Sequence, residues 1–446
     1  MNCLAKDRTR KNFLTLAPHS VRKAPTGLTR RSRVPQKTGS CFWAKHRHHA
    51  ALHVVLIVLT FSTQLFAQSA KKVQPVELKF ETRTSIDGSK EWDWWQARTA
   101  FVPGPEPLLI TTMSETGRTG THNFHDIYQS ISRDHGRTWS VPAAIRSLKR
   151  TRQPDGYEVA PGDLWPTWHA KTGTVLLTGK TFNFADGKKE NRLREKVSYA
   201  VLDPKSGVCG PMRFLEVPDT DHSGNPIVAI NAGCTQRVDL PNGDILLPVR
   251  YWRDPKKHNY TSVVARCSFD GELLTYKKHG TELTIPAGRG LYEPSLTEFD
   301  GKYFLTLRAD QTAFVTRGKD GIHFEPIREW KFDDGKLLGS YNTQQHWVTI
   351  GDGLFLVYTR KDANNDHIMR HRAPLFIGQV NPETLQVIRS TERILIAEDH
   401  ATLGNSGVCR ISDNESWITC GEGLLRLGKR KEQTNKVHFV KITTGQ

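Results

Sequence analysis

Cysteine is scarce in this chain of 446 residues, and no metal-binding pattern is built from it. Two of the seven cysteines, Cys3 and Cys41, lie in the N-terminal tail, which leaves an odd set of five beyond it. An odd set cannot pair completely within one chain. Cys409 and Cys420 flank one turn, and the sequence allows them to face each other across a hairpin. Cys-x-x-Cys and His-Glu-x-x-His are both missing, so we expect no metal and no organic cofactor.

Acidic residues are almost absent from the first 50 residues. Twelve lysines and arginines there oppose the single Asp7, a charge of +11 (12 − 1) out of +17 for the whole chain. The remaining residues therefore carry only about +6 (17 − 11). The basic character belongs mostly to the tail, and it does not predict a nucleic-acid partner.

Charge of either sign is missing from residues 51–67, an apolar run of 17 residues that ends at Ala67. A basic segment, an apolar run and a small final residue are typical of a signal peptide. We therefore expect a secreted or periplasmic protein, cleaved near Ala67, with no stable membrane span afterwards. Because the run is at the lower limit for a membrane span, the alternative is a signal anchor.

A tight turn followed by an apolar strand recurs along the rest of the chain. Four such turns carry a basic residue seven positions after the turn glycine, and weaker copies lie near Pro105 and Asp413. Six units spaced 52–70 residues apart predict an all-β fold, a six-bladed β-propeller of four-stranded antiparallel blades. An ordinary β-sandwich is the alternative. The four turns with their basic residues are Thr172-Gly173 with Lys180, Asn242-Gly243 with Arg250, Asp300-Gly301 with Arg308, and Asp352-Gly353 with Arg360.

The segment from Ser132 to Trp139 reads S-x-D-x-G-x-T-W. Its Ser and Asp side chains suit hydrogen bonds to local amides, and Gly136 suits a positive φ. With the six hairpins and the phrase from Glu293 to Arg308, this motif resembles the sialidase superfamily of six-bladed propellers with Asp-box (BNR) repeats. The resemblance covers roughly residues 90–440. It divides the chain into a basic extension and signal peptide (1–67), a linker and entry strand (68–90) and the propeller (91–446).

The resemblance implies an exo-α-sialidase-like glycoside hydrolase whose partner is a glycan with a carboxylate. In sialidases three arginines from different blades hold that carboxylate, because guanidinium groups bond carboxylates bidentately. Arg98 occupies the first position, without the Arg-Ile-Pro motif of the family. Arg308 matches the second, and the third is Arg360 or Arg372.

Three further residues are candidates for the chemistry. Glu293 matches the glutamate that activates the tyrosine nucleophile of the family. Asp126 is the nearest carboxylate to the position of the acid/base aspartate. The family tyrosine follows the third arginine, whereas this chain has no tyrosine after Tyr358. Tyr341 is therefore the expected replacement, since a carboxylate nucleophile would be repelled by the carboxylate of the substrate.

Other polar residues at predicted strand ends suggest a pocket at the central channel, namely Arg250, His346 and Gln236. Two alternatives to hydrolysis stay open on the same fold. One is binding of an anionic glycan without cleavage, and the other is a uronate polysaccharide lyase using Tyr341 and His346. A protein-binding propeller with solvated basic residues is a third possibility.

Overall fold

Strands dominate the computed structural model, which describes residues 73–117, 123–186, 189–424, 430 and 432–445. They form six small sheets, which confirms the predicted six-bladed β-propeller. The predicted signal peptide and basic extension, residues 1–67, lie outside the described residues. Within the described ranges, no helix has both the length and the apolar character needed to cross a membrane.

The chain begins with two short strands and then builds blades 1 and 2. The opening strands are β1 (Leu78–Thr82) and β2 (Ile86–Asp87). Blade 1 contains β3 (Trp92–Val102), β4 (Leu108–Gly117), β5 (Phe124–Ser132) and β6 (Ala143–Ala144). Blade 2 contains β7 (Thr151–Arg152), β8 (Glu158–His169), β9 (Thr174–Ala185), β10 (Lys189–Glu190), β11 (Val197–Leu202) and β12 (Arg213–Phe214).

Blades 3 and 4 follow with shorter strands. Blade 3 contains β13 (Val228–Asn231), β14 (Val238–Asp239), β15 (Ile245–Trp252), β16 (Tyr260–Phe269) and β17 (Leu274–His279). Blade 4 contains β18 (Tyr292–Phe299), β19 (Lys302–Arg308), β20 (Phe314–Gly318) and β21 (Arg328–Glu329).

Blades 5 and 6 complete the fold. Blade 5 contains β22 (Lys331–Phe332), β23 (His346–Ile350), β24 (Gly353–Tyr358), β25 (Leu375–Asn381), β26 (Gln386–Val387) and β27 (Arg393–Ile396). Blade 6 contains β28 (Ser406–Ser412), β29 (Glu415–Gly421) and β30 (Lys436–Thr444). Short 3-10 turns lie at Arg146–Leu148, Arg192–Arg194, Met369–His371 and Arg389–Thr391.

The N-terminal strand completes the last blade. β1 pairs antiparallel with β30, with Leu78 opposite Thr444 and Thr82 opposite Val440. The fourth strand of blade 6 therefore comes from the start of the propeller and its other three strands from the end. This arrangement closes the ring and covers the strand edge that an open propeller would expose.

An apolar layer separates each blade from the next. Six clusters of buried side chains match the six neighbouring pairs of blades, including the pair that joins blade 6 to blade 1. Each large apolar side chain that is buried in this way contributes about 1.5–3 kcal/mol to folding. Each layer is represented here by one residue from each of its two blades: Ile110 with Leu177, Tyr199 with Leu247, Leu246 with Leu305, Phe304 with Trp347, Val348 with Ile418, and Trp417 with Leu109.

The turn before Trp139 has the hydrogen bonds that its sequence predicts. Asp134 Oδ1 accepts from the Thr138 amide at 2.9 Å, and Ser132 Oγ accepts from the Gly136 amide at 2.8 Å. Gly136 has a φ of 74°. Trp139 stacks on Phe439 with ring centroids 4.3 Å apart, so the turn of blade 1 is attached to blade 6.

Cys409 and Cys420, which the sequence allowed to face each other across a hairpin, do not do so. In the register of β28 and β29, Cys409 lies opposite Trp417 and Cys420 lies opposite Ser406. Both thiols are free, as are the other three cysteines of the described residues. The two residues are too far out of register to face each other, although one turn separates them.

Candidate functional site

The first strands of several blades change conformation at one end of the propeller. Gln96, Asp163, Cys234 and Glu293 have φ values of 55°, 51°, 63° and 47°. Three of them coincide with interruptions of the strand register in blades 1, 2 and 4. A left-handed conformation costs a non-glycine residue roughly 1–2 kcal/mol. Such residues recur at functional sites, and all four line the same cavity.

The cavity has a volume of about 140 Å³, and seven of the sixteen described residues that line it are lysines or arginines. Lys180, Arg250 and Arg308 come from β9, β15 and β19 of three successive blades. The connection between β24 and β25 adds Arg370 and Arg372. Its other lining residues are Trp95, Gln96, Phe124, Asp163, Phe182, Arg192, Cys234, Arg289, Glu293, Met369 and Asn405. This composition suits a small anionic ligand.

Glu293 is the acidic centre of the cavity wall. Arg308 donates to its Oε2, and the guanidinium of Arg250 lies 3.8 Å from its Oε1. Although burial raises the pKa of Glu293, Arg308 and Arg250 together lower it to about 2. Glu293 is therefore ionised at neutral pH, and in return it raises the pKa of both arginines against the effect of burial.

A second group of hydrogen bonds fixes Arg308 from the other side. Arg308 donates to Asn342 Oδ1 at 2.6 Å, and Arg289 donates to the same oxygen at 2.8 Å. Arg289 also pairs with Asp310 at 2.5 Å. The Tyr292 ring lies beside both guanidiniums, 4.6 Å from that of Arg289 and 4.8 Å from that of Arg308. Arg308 is thus held rigidly before any ligand arrives.

Arg372 has no acidic partner among the described residues. Its Nε donates to Thr343 Oγ1 at 3.2 Å, and one terminal nitrogen donates to the Asn342 carbonyl at 3.0 Å. Burial, followed by repulsion from Arg308 and Arg370, lowers the pKa of Arg372 to about 9. The pKa of Arg370 is also lowered, by burial and by repulsion from Arg308 and Arg289. Glu293 attracts both arginines only from beyond ion-pair distance, so this side of the cavity carries an excess of positive charge.

On the opposite wall the charges are paired. Lys180 donates to Glu195 at 2.9 Å, and Glu195 also accepts from Asn231 at 2.5 Å. Asp163 Oδ1 accepts from the Cys234 thiol at 2.7 Å. Burial and the neighbouring Asp163 raise the pKa of Cys234 well above its ordinary value, so this thiol stays protonated. Asp163 is the second carboxylate in the cavity, beside Glu293.

The structure brings together four of the residues chosen from the sequence. Glu293, Arg308, Arg372 and Arg250 all line the cavity. Arg98 is fully buried outside the cavity lining, where it donates to the carbonyl of the lining residue Gln96 at 3.1 Å. It has no carboxylate within ion-pair distance among the described residues.

His346 is fully buried, and Gln236 lines a different cavity of about 430 Å³. The Nδ1 of His346 is 2.8 Å from Ser295 Oγ, and burial together with Arg98 holds the pKa of this imidazole well below its ordinary value. Gln236 exchanges two hydrogen bonds with the backbone of Trp347, at 2.9 and 3.0 Å. Both side chains bridge blades and do not line the cavity.

The other three predicted residues have partners elsewhere. Arg360 forms a bidentate pair with Glu392, with both distances 2.8 Å. Asp126 accepts from the Arg150 amide at 2.9 Å. The ring of Tyr341 lies 5.7 Å from that of His371, and the ammonium of Lys361 covers it at 4.2 Å. None of these three residues lines the cavity.

Sequence reasoning did not select five of the lining residues that carry the chemistry of this cavity. Lys180 had a detectable signal, because it follows its turn glycine by the same interval as Arg250 and Arg308. Asp163 and Cys234 had none, since only the shape of the backbone turns them toward the cavity. Arg289 and Arg370 lie in connections between strands, where no periodic pattern marks direction.

Comparisons with known proteins agree with the fold. No family model matches the sequence, and no curated protein matches it. Among solved structures, a protein of unknown function from Dyadobacter fermentans is similar with a TM-score of 0.58 and 13% identity over 82% of this chain and 99% of that one. Trypanosoma rangeli sialidase has a TM-score of 0.56 and 14% identity over 83% of this chain.

This chain spans 60% of the length of that Trypanosoma rangeli sialidase. A Hadza microbial sialidase gives a TM-score of 0.54 and 14% identity over 79% of this chain and 66% of its own. Trypanosoma rangeli sialidase in complex with sialic acid is also similar, with a TM-score of 0.53 and 13% identity over 83% of this chain and 59% of that one. The likeness supports the fold alone, a β-propeller similar to that of these sialidases.

Proposed function

We propose that the cavity binds the carboxylate of an anionic sugar and that the protein is a sialidase-like glycoside hydrolase. Arg372 carries the proposal. It is a buried guanidinium with no acidic partner among the described residues, and it faces Arg308 and Arg370. An uncompensated buried cation is costly for folding, and an incoming carboxylate would remove that cost. The ligand would then contribute the missing counterion.

The proposed ligand contacts follow from which arginines are already neutralised. Arg372 and Arg370 have no acidic residue within ion-pair distance in the described part of the chain, and they would bind the carboxylate directly. Arg308 and Arg250 share the single charge of Glu293, so part of their positive potential also remains available. Guanidinium groups suit this role because they present parallel N–H donors to both carboxylate oxygens.

Glu293 and Asp163 are the two carboxylates proposed for the chemistry. Glycoside hydrolysis typically uses a pair of carboxyl groups on either side of the scissile bond. Glu293 is ionised and suits a base, although its two arginines weaken its basicity. A substrate carboxylate that engages Arg308 and Arg250 would compete with Glu293 for those groups and make it more basic.

Binding without hydrolysis is the second candidate, and a specific observation favours it. No tyrosine occurs among the described residues that line the cavity, so the nucleophile of classical sialidases has no counterpart there. Tyr341 and His346 have separate partners, Lys361 with His371 and Ser295 with Gln344, so their positions give no support to a lyase. Turnover is what separates the two candidates.

The test combines calorimetry with a turnover assay. The protein is titrated with N-acetylneuraminic acid, with glucuronic acid and with the neutral N-acetylglucosamine, and is then incubated with a fluorogenic α-sialoside. Arg372→Met and Glu293→Gln are compared with Arg328→Met, which changes an exposed arginine. We expect an acidic sugar to bind and both cavity variants to lose binding or turnover. Binding with no turnover would select the second candidate. If none of the three sugars binds, the proposal is overturned.

A further inference from the structure

Outside the cavity, two imidazoles and one carboxylate lie close together at the connection that carries Arg370 and Arg372. His367 Nε2 lies 3.3 Å from Glu398 Oε1, and His400 Nδ1 lies 3.6 Å from the same oxygen. All three potential ligand atoms lie within 4.8 Å of one another. We propose that His367, Glu398 and His400 form a zinc-binding site that attaches this segment to the start of blade 6.

The distances fit a tetrahedral ion. Zinc binds histidine nitrogen and carboxylate oxygen at about 2.0–2.2 Å, so neighbouring ligand atoms in a tetrahedron lie roughly 3.3 Å apart. Both measured separations are close to that value. The two imidazole rings are 5.6 Å apart and inclined by 64°, so they converge and do not stack. A water molecule would complete the fourth position, as is usual for sites with three protein ligands.

The carboxylate is available for a metal. Glu398 contacts His367 and His400, and within the described residues no lysine or arginine lies within ion-pair distance of it. The amide of His400 donates to Glu398 Oε1 at 2.5 Å and so fixes the direction of the carboxylate. All three side chains are partly exposed, so an ion can reach them without unfolding.

A second group of similar composition shows the contrast. His222, His279 and Glu282 also lie close together. There, however, Arg253 pairs with Glu282 and neutralises it. The two imidazoles stack face to face, with centroids 4.0 Å apart and planes inclined by only 7°. Since nitrogen lone pairs lie in the ring planes, stacked rings do not point at one ion, and this group serves as the control.

The site would act on the position of the cavity arginines. His367 lies in the connection between β24 and β25, which continues through Arg370 to Arg372. The side chain of Asn365 already holds this connection by donating to the carbonyls of Arg360 at 2.9 Å and Ala373 at 2.6 Å. Zinc would add a link from His367 to the segment 398–400, which precedes β28. The metal would thereby restrict the two arginines that have no acidic partner.

The direct test is the number of zinc ions that each protein molecule binds, and this measurement does not require a bound sugar. The full chain is treated with a chelator, desalted and titrated with zinc chloride, and a parallel titration uses calcium chloride. His46, His48 and His49 in the tail also offer imidazoles, so the informative quantity is the difference between the parent and each variant. We expect His367→Ala and Glu398→Gln to bind one equivalent fewer, and His222→Ala to match the parent.

Cobalt gives a second readout at the same site. Cobalt(II) in a tetrahedral site absorbs visible light more strongly than octahedral cobalt does, so the parent should show these bands and His367→Ala should lose them. Calcium should not compete, because it prefers an all-oxygen ligand set. Equal zinc equivalents and equal cobalt spectra in the parent, His367→Ala and Glu398→Gln would overturn the site. Folding of each variant is checked by circular dichroism, and Glu398→Gln preserves both side-chain volume and the acceptor for the His400 amide.

Discussion

Arg308 donates to Glu293, 15 residues earlier in the chain, across the first two strands of blade 4. The pair is buried, and Arg250 of blade 3 lies against the other carboxylate oxygen at 3.8 Å. One carboxylate thus serves two guanidiniums, while Arg372 on the neighbouring wall has no carboxylate within ion-pair distance among the described residues. The result is an excess of positive charge in this cavity.

Glu293→Gln should destabilise the protein. The substitution leaves Arg308 and Arg250 buried without their shared counterion, and breaking a buried ion pair from one side costs about 3–5 kcal/mol. The free energy of unfolding, measured by urea denaturation, should fall by about that amount. Glu325→Gln removes a half-exposed partner of Arg317 and should change the free energy by less than about 1 kcal/mol. Equal effects from the two variants would contradict the assigned role of Glu293.

Arg372→Met should have the opposite effect on stability. The substitution removes a buried cation that has no acidic partner and leaves a side chain of similar length. The free energy of unfolding should stay unchanged or rise by about 1 kcal/mol, as is common when a binding residue is removed from a functional site. Affinity for an acidic sugar should fall by about 100-fold or more, because a buried charged hydrogen bond to the ligand is lost.

The two measurements on Arg372→Met are made on one preparation, with urea denaturation for stability and calorimetry for binding. A loss of stability as large as that of Glu293→Gln would show that Arg372 has a structural role. Retained affinity in a folded variant would show that the carboxylate binds elsewhere.

The free energy of unfolding should fall as the pH is lowered, and Glu293 should account for part of that fall. Its pKa falls from the usual 4.5 to about 2 in the folded protein, because the attraction of Arg308 and Arg250 exceeds the effect of burial. A carboxyl with a lowered folded pKa stabilises the protein fully above its unfolded pKa and loses that contribution as the pH falls through the folded value. The contribution is about 3 kcal/mol and should disappear between about pH 4.5 and pH 2.

The difference in unfolding free energy between the parent and Glu293→Gln isolates this effect from the other carboxyl groups. The difference should be constant from pH 7 to pH 5 and should shrink below that. A difference that does not vary with pH would mean that the folded pKa of Glu293 is close to its unfolded one.

The five cysteines of the described residues should be unreactive in the folded protein. All five are free. Burial raises the pKa of Cys209 to about 11 and those of Cys267, Cys409 and Cys420 to about 12. Because the thiolate is the reacting species, a pulse of iodoacetamide at pH 8 should leave them unmodified. The protein is then denatured without a reductant and alkylated again, and peptide mapping should find all five cysteines alkylated. A pair of cysteines that stays unalkylated would reveal a disulfide.

The sequence by itself determined the number of blades and the position of Arg308 at the end of its strand. A turn glycine fixes the hairpin register, so the position of a side chain along the second strand follows from counting residues. The interval from Gly301 to Arg308 therefore placed Arg308 at the end of β19, beside the start of β18. In the structure the register shifts at Glu293, so Arg308 lies opposite Tyr292 and its side chain donates to the adjacent Glu293.

Only the tertiary structure decided which cations meet. Lys180, Arg250 and Arg308 each lie opposite a residue of the preceding strand, so their side chains reach the cavity. Arg360 occupies the same place in its repeat, but β24 ends at Tyr358 and β23 begins only at His346. Arg360 is thus beyond the paired region and turns to Glu392 instead. Arg372 lines the cavity in its place and lies in the connection between β24 and β25. The path of such a connection depends on packing contacts, which no local sequence pattern encodes.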